Sequence, residues 1–276
     1  MKAMEQPFKP YRFPALIEPI SSNGPMHGQR VRLIHSKGWF EALTWVMIPT
    51  TDNSQVCAAE VTVLELPGES PHFLLMHLQP NHAIPKLTLL PDSICPMPGV
   101  AKQVKTLVAE ISCEPLREMV TRALLHPGAV MGYWRSPASL SDHHNFPGGL
   151  AIHSLEVATM VATSSLLSQQ DRDLGVALAL LHDYGKIWCY RDGKYVASHK
   201  RGHGIEGLEK LTSHLENLRR ETPDIGNKMR EMLSGSYHCK DRRYPLAIGR
   251  IVNAFDQMSC EMTRRVEEEN WEDAAF

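Results

Sequence analysis

The chain has 276 residues, 43% of them hydrophobic and 22% charged, which is an ordinary globular composition. That length allows one large domain or two modest ones, and either can bury a core. A formal net charge of -2 and a pI of about 6.7 exclude a surface coated in cations for gripping long duplex DNA, while leaving room for a nucleic acid held at a local basic patch.

Cysteines stand at 57, 95, 113, 189, 239 and 260, with no C-x-x-C pair. Scattered in this way, they read as reduced thiols, not as a disulfide frame. The first residues (MKAMEQPFKPYRFP) have no apolar signal core, and no apolar run approaches the length of a membrane span. The expectation is a cytoplasmic protein without a membrane partner.

Residues 1–27 are rich in proline and poor in periodicity, and read as an extended N-terminal arm on the surface. Residues 28–98 change character. Short apolar, β-branched runs recur at Gln29–His35, Phe40–Ile48, Val56–Leu66, Phe73–Leu78 and Leu87–Leu90. Turn signals at Ser36–Gly38, Thr51–Ser54 and Pro67–Ser70 separate them, which predicts a small antiparallel sheet or barrel. Pro91–Gly99, with three prolines, reads as a linker.

Residues 99–266 follow a helical pattern. Val104, Leu107, Val108 and Ile111 share one face of a first helix. Ser112 is placed to cap the next, with Pro115 in its first turn and an end near His126-Pro127-Gly128. An irregular stretch runs to Phe146. Pro147 opens a helix to about Leu167, and Asp171 or Asp173 caps one over Leu174–His182. Asp224 starts a helix to Leu233, Pro245 another to about Val266, and the acidic tail 267–276 reads as frayed. The fold class is therefore α+β, mainly α: a small N-terminal β domain followed by an all-α helical bundle.

The chemistry concentrates in three places. The segment LLHDYGK (180–186) ends a helix that is apolar almost all round, and presents His182 and Asp183 side by side. A buried carboxylate beside an imidazole is costly unless it is paired or metal-bound. Gly185 allows the chain to turn, and one more helical turn would stack Lys186 near the pair. His153 shares a helical face with Leu150, Val157 and Val161, and Asp256 lies in the apolar stretch PLAIGRIVNAFDQMS. Each of these alone is compatible with a packed or salt-bridged core residue. Together, two histidines and two aspartates form a mixed N/O set suited to a divalent ion such as Mn, Fe, Zn or Ni. An open coordination position would hold a water and lower its pKa.

The order H…HD…D, with HHNFPGGLAIHSLEVA before it and G-K after the HD pair, resembles the HD-domain metal-dependent phosphohydrolase superfamily over roughly residues 100–265. The resemblance puts His153, His182, Asp183 and Asp256 at the metal-ligand positions, with Asp183 also catalytic. It assigns Lys186 to stabilising charge on the transferring phosphoryl group; the alternative is a lysine complementing a helix C-terminus. Binuclear relatives draw further histidines from the interval that here holds His199, His203, His214 and His238. His203 in RGHGIEGLEKL and His238 in LSGSYHC are the candidates for a second metal sharing Asp183, or for binding substrate phosphate. Tyr237 stands where relatives often carry a histidine, which leaves one ligand short. His199 and His214 read as surface histidines. Lys240, Arg242 and Arg243 form a short basic loop that can hold further phosphates, or is simply solvated. His143 and His144 either line the cleft or bond within their loop.

Three substrate readings follow from resemblance. HHNFPGGLAIHSLEVA after a small β domain is similar to HD-type 3′→5′ exoribonucleases, whose OB-like domain would offer a single strand a stacking and electrostatic surface. Trp39, Phe40, Trp45 and Phe73 lie in the β region, although aromatics in a sheet are more often core. The same segment also resembles the HD region of TraI-type conjugative relaxases, implying single-stranded DNA as substrate or partner and a protein of a mobile element. A small-nucleotide phosphatase is the third, and a catalytically weak binding or sensor module the non-enzymatic alternative. The absence of G-Y-P after His238 disfavours cyclic-dinucleotide hydrolases. Phosphodiester hydrolysis of single-stranded nucleic acid is the favoured reading.

Overall fold

The computed structural model describes residues 10–22, 28–49, 56–68, 72–141, 143–191, 194–196, 202–236 and 243–274, with side chains to residue 20 in the first segment and to residue 264 in the last. It divides into two compact units. One comprises residues 1–94 with 125–127, the other residues 95–124 with 128–276.

The first unit is a five-stranded closed barrel of β1 (Tyr11–Ser22), β2 (Gln29–His35), β3 (Gly38–Thr44), β4 (Cys57–Leu66) and β5 (His72–Pro80). The strands run in the order β1-β2-β3-β5-β4, and β1 closes the ring on β4. All pairs are antiparallel except β3 with β5. A five-stranded Greek-key barrel of this kind is the OB-type architecture. Its interior follows the period-2 alternation of the strands: Ala15 and Ile17, Val31 and Leu33, then Cys57, Ala59, Val61 and Val63 point inward. Each large aliphatic side chain buried there contributes about 1.5–3 kcal/mol.

Strand β1 corrects the reading of residues 1–27 as a surface arm, because Ala15, Leu16 and Ile17 are fully buried. Its prolines obscured it. Pro14 pairs only with β4 and Pro19 only with β2, next to a register shift, so neither removes a donor needed on both sides. Leu87–Leu90 is another correction, since Lys86–Leu89 forms a 3-10 turn in place of a strand. The turn expected at Thr51–Ser54 lies outside the described residues.

The second unit is helical: α1 (Val100–Glu110), α2 (Glu114–Leu124), α3 (Ala129–Arg135), α4 (Gly149–Ala162), α5 (Gln169–Leu181), α6 (Lys186–Cys189), α7 (His203–Glu221), α8 (Pro223–Leu233) and α9 (Leu246–Ala274). A two-stranded ribbon, β6 (Tyr190–Arg191) and β7 (Lys194–Tyr195), follows α6. Helices α4 and α5 form the centre, buried on most faces and packed on each other and on α9. A Cβ on Gly175 would lie 2.7 Å from Val161 Cγ1, so its missing side chain lets α5 approach α4.

Several helix boundaries differ from expectation. Helix α5 begins at Gln169, where the Ser168 hydroxyl accepts from the Asp171 N–H and donates to the Asp171 carboxylate. Asp173 faces elsewhere: its Oδ2 accepts from the Ser112 N–H at 3.0 Å, the Ser112 hydroxyl at 2.5 Å and the Cys113 N–H at 3.0 Å. Ser112 therefore does not cap α2 with its own side chain; Asp173 satisfies the start of α2 from another helix. Helix α3 occupies part of the stretch read as irregular. Helix α9 continues to Ala274 through the expected frayed tail, whose glutamates and alanines are good helix formers.

Candidate metal centre

Three helices deliver the side chains of interest. His153 lies in the middle of α4, fully buried; His182 and Asp183 leave the end of α5; Asp256 lies on α9. His153 Nε2 is 3.0 Å from Asp256 Oδ1 and 3.7 Å from Asp183 Oδ2. His182 Nε2 is 3.4 Å from Asp183 Oδ2 and 3.8 Å from Asp256 Oδ1. The four residues expected to act together thus meet at one point.

Hydrogen bonding shows what that point lacks. His182 Nδ1 lies 2.8 Å from the Ala179 carbonyl oxygen, which can only accept, so Nδ1 donates and Nε2 faces the carboxylates. The Nε2 atoms of both His153 and His182 are buried, and neither makes a hydrogen bond of acceptable geometry, despite the short distances to oxygen. Two buried ring nitrogens beside two carboxylates are what a divalent cation would satisfy. His153, His182 and Asp183 offer ligand atoms within 4.8 Å of one another. The residues present therefore fit a metal ion.

The charges respond to this crowding. Burial works against the His182 imidazolium, but Asp183 and Asp256 outweigh it and hold its pKa up to about 10. Burial would raise Asp183, yet His182 and Lys186 hold its carboxyl well below the usual range. Asp256 is depressed likewise, with burial opposed by the adjoining His153 and His182 rings. His153 is lowered, chiefly by burial. Lys186 Nζ donates to Asp183 Oδ2 at 2.5 Å, and Asp183 overcomes burial to raise the lysine.

A cleft of ≈ 410 Å³ opens over the centre, lined by His182, Asp183, His203, Leu208, Asn253 and Asp256 among others. His203, the first residue of α7, places Nε2 3.1 Å from Asp183 Oδ1. Gly185 explains that approach. Its backbone is ordinary right-handed helical (φ -66°), so the turn itself does not require glycine. A Cβ there would lie 1.9 Å from the His203 carbonyl oxygen and 2.5 Å from the Gly207 nitrogen. The glycine lets the start of α7 press against the turn that carries the His-Asp pair.

The remaining candidates are placed as follows. His144 is buried, with Nε2 3.0 Å from Glu156 Oε2 and 3.1 Å from Thr263 Oγ1; His143 Nε2 lies 3.0 Å from Cys260 Sγ. His144 thus binds side chains of both α4 and α9, and His143 one of α9. Arg243 is exposed and pairs with Glu231 at 3.5 Å. His214, expected at the surface, is fully buried on α7 among Leu211, Leu215 and Leu218. His199, Tyr237, His238, Lys240 and Arg242 lie outside the described residues.

Residues 150–272 match the HD domain family. Over these residues the chain is similar to the HD-domain superfamily. It is similar to the 3′-5′ exoribonuclease YhaM of Bacillus velezensis, with 28% identity covering 61% of this chain and 55% of that protein. It is also similar to YhaM of Bacillus subtilis, with 26% identity and the same coverage. The chain spans about half the length of these curated relatives. No solved structure matches it.

Sequence reading of the HD domain missed Glu156, Ser259, Cys260 and Thr263. Their signal was positional only: Glu156 and Ser259 stand three residues after His153 and Asp256, on the same helical faces. No described helix is long and apolar enough to cross a membrane.

Proposed function

We propose that this protein is a metal-dependent phosphodiesterase acting on single-stranded nucleic acid, with RNA favoured over DNA. The observation that carries the reading is the pair of buried, unsatisfied Nε2 atoms of His153 and His182 facing Asp183 and Asp256. An OB-type barrel in the same chain, and the similarity to proteins named 3′-5′ exoribonucleases, support the substrate class. The barrel carries a half-exposed Trp39, with the Arg32 guanidinium 5.5 Å from its ring, as one surface on which a base can stack.

In this reading His153, His182, Asp183 and Asp256 hold one divalent ion: Mn, Fe, Zn or Ni. When bound, such an ion supplies Lewis-acid chemistry, acidifying water and offsetting phosphoryl charge. His203 extends the ligand set on the far oxygen of Asp183, where a second ion or a substrate phosphate would sit, with His238 as its expected companion. Lys186 remains protonated beside Asp183 and complements charge developing on the phosphoryl oxygens. Arg243, with Lys240 and Arg242, is the proposed contact for phosphates beyond the scissile one.

The test is cleavage of end-labelled single-stranded RNA and DNA with added Mn²⁺, wild type beside Asp183→Ala. A ladder from wild type alone is expected, stronger on RNA. Equal cleavage by Asp183→Ala would overturn the assignment of the centre. Cleavage of neither strand, with hydrolysis of mononucleotides, would move the activity to a small-nucleotide phosphatase.

A further inference from the structure

The site leaves one question of proton placement that the surrounding helices answer. A histidine can ligate through Nε2 only if Nε2 is free of hydrogen, which requires the proton to reside on Nδ1. For His182 a backbone carbonyl enforces this. For His153 no such carbonyl partner is present among the described residues. Its Nδ1 lies 3.1 Å from Ser259 Oγ, a group that can donate or accept.

The direction of that bond follows from an accounting of hydrogens further out. The Thr263 hydroxyl donates to the Ser259 carbonyl oxygen at 3.0 Å, so at 3.1 Å from His144 Nε2 it acts as acceptor and Nε2 carries the proton. The same Nε2–H reaches Glu156 Oε2 at 3.0 Å. Ser259 Oγ lies 2.6 Å from that same carboxylate oxygen. An ionised carboxylate only accepts, so the single serine proton goes to Glu156, and the shorter of the two serine contacts agrees. Ser259 has then only a lone pair to offer His153. The donor in the His153–Ser259 bond must be Nδ1–H.

We infer that Glu156 and Ser259 are positioning residues that fix His153 in the tautomer with a free Nε2, Glu156 by claiming the serine proton and Ser259 by accepting from Nδ1. The two residues touch neither substrate nor the reacting atoms; they act through His153. The carboxylate–hydroxyl–imidazole chain spans α4 and α9, so it also fixes the ring's rotation about its Cβ–Cγ bond. Outer partners of a metal-ligating histidine typically govern metal affinity by 10–100-fold. The inference rests on the metal-centre reading above, but the tautomer itself is a property of the metal-free protein.

The experiment uses the full chain labelled with ¹⁵N-histidine, stripped of metal by a chelator. His153 is assigned by loss of its signals in His153→Gln. Wild type should show His153 protonated on Nδ1. Ser259→Ala should lose that single tautomer, and Ser259→Thr, which keeps the hydroxyl, should restore it. Mn²⁺ titration of the same samples should show about 10–100-fold weaker binding for Ser259→Ala, and recovery for Ser259→Thr. Glu156→Gln, at a part-exposed position, is the second arm and should shift the tautomer in the same direction if Ser259→Ala fails to fold. A wild-type His153 protonated on Nε2 would overturn the inference. So would an unchanged tautomer and Mn²⁺ affinity in Ser259→Ala and Glu156→Gln. Failure of wild type to bind Mn²⁺ would overturn the metal-centre reading instead, while the nitrogen spectrum still decides the tautomer.

Discussion

At the scale of single residues, the centre is a balance of charge that a metal ion would reset. In the metal-free protein His182 is the compensating cation for Asp183 and Asp256, with its pKa at about 10 against an ordinary 6.5. A group raised in the folded state contributes stability fully below its unfolded value and loses it as pH rises through the folded one. Asp183 and Asp256 are depressed, so their contribution is present above 3.8 and is lost on acidification. These three groups favour the window between about pH 4 and 6.5, within which the lowered His153 works against them, and the melting temperature should fall from pH 6.5 towards 10 as the His182 contribution is lost. Melting curves in chelator across that range check this, and His182→Gln should flatten the alkaline limb. An alkaline limb unchanged in His182→Gln would remove His182 from the account. This residue scale was also the most legible in the sequence. His153, His182 and Asp256 were visible because ionisable groups on apolar helical faces are costly and demand a reason. Glu156 and Ser259 went unread because a glutamate or a serine within a helix is common, and it is the structure that buries Ser259 between Glu156 and His153.

At the scale of elements, glycine and proline decided what could be read. Helix α7 went unrecognised because His203-Gly204-Ile205-Glu206-Gly207 starts it with two poor helix formers; tertiary contact with the His-Asp turn outweighs their propensity. Strand β1 was hidden by Pro14 and Pro19, and α3 by the Pro-Gly before it. The barrel strands β2 to β5 and the helices α1, α4, α5 and α8 were legible because alternation or helical spacing ran unbroken through them. Gly185 and Gly207 also make a prediction. Gly185→Ala puts a methyl where the His203 carbonyl oxygen lies, so α7 must retreat and carry His203 away from Asp183. His153, His182, Asp183 and Asp256 depend on α4, α5 and α9 and should keep their ion. Calorimetric titration with Mn²⁺ should show the tight site retained in Gly185→Ala, with any second, weaker site and most cleavage activity lost. Loss of the tight site would mean that α7 supports the whole centre.

For the whole molecule, the proposal divides labour between chemistry and grip. Composition was legible at this scale: a chain of net charge -2 has no general affinity for polyanions and must bind them locally. On the barrel, Arg30 pairs with Glu41 and Arg32 with Glu18, so the charge of these two arginines is matched and stacking on Trp39 is the stronger candidate for binding beside them. Trp39→Ala should lower affinity for a single-stranded oligoribonucleotide by about tenfold, measured by fluorescence anisotropy in chelator. Hydrolysis of a small phosphodiester such as bis(p-nitrophenyl) phosphate should be unchanged. Equal affinity in the variant would place the strand elsewhere.

The contacts of helix α2 bear on how this architecture can change over time. Asp173, near the start of α5, holds the backbone that begins α2, and the Tyr184 hydroxyl, just past the end of α5, donates to the Ala123 carbonyl at 2.6 Å near the end of α2. The two helices are bolted together at both ends, and the second bolt is the residue next to Asp183. They work as a matched pair of gauge bars. Adding one residue to either would shift it by about 1.5 Å and turn it by about 100°, so that only one bolt could close. Insertions and deletions are therefore tolerated in the loops around these bars but not within them, and the length of α2 is as much a constraint on the His-Asp pair as any residue that touches it.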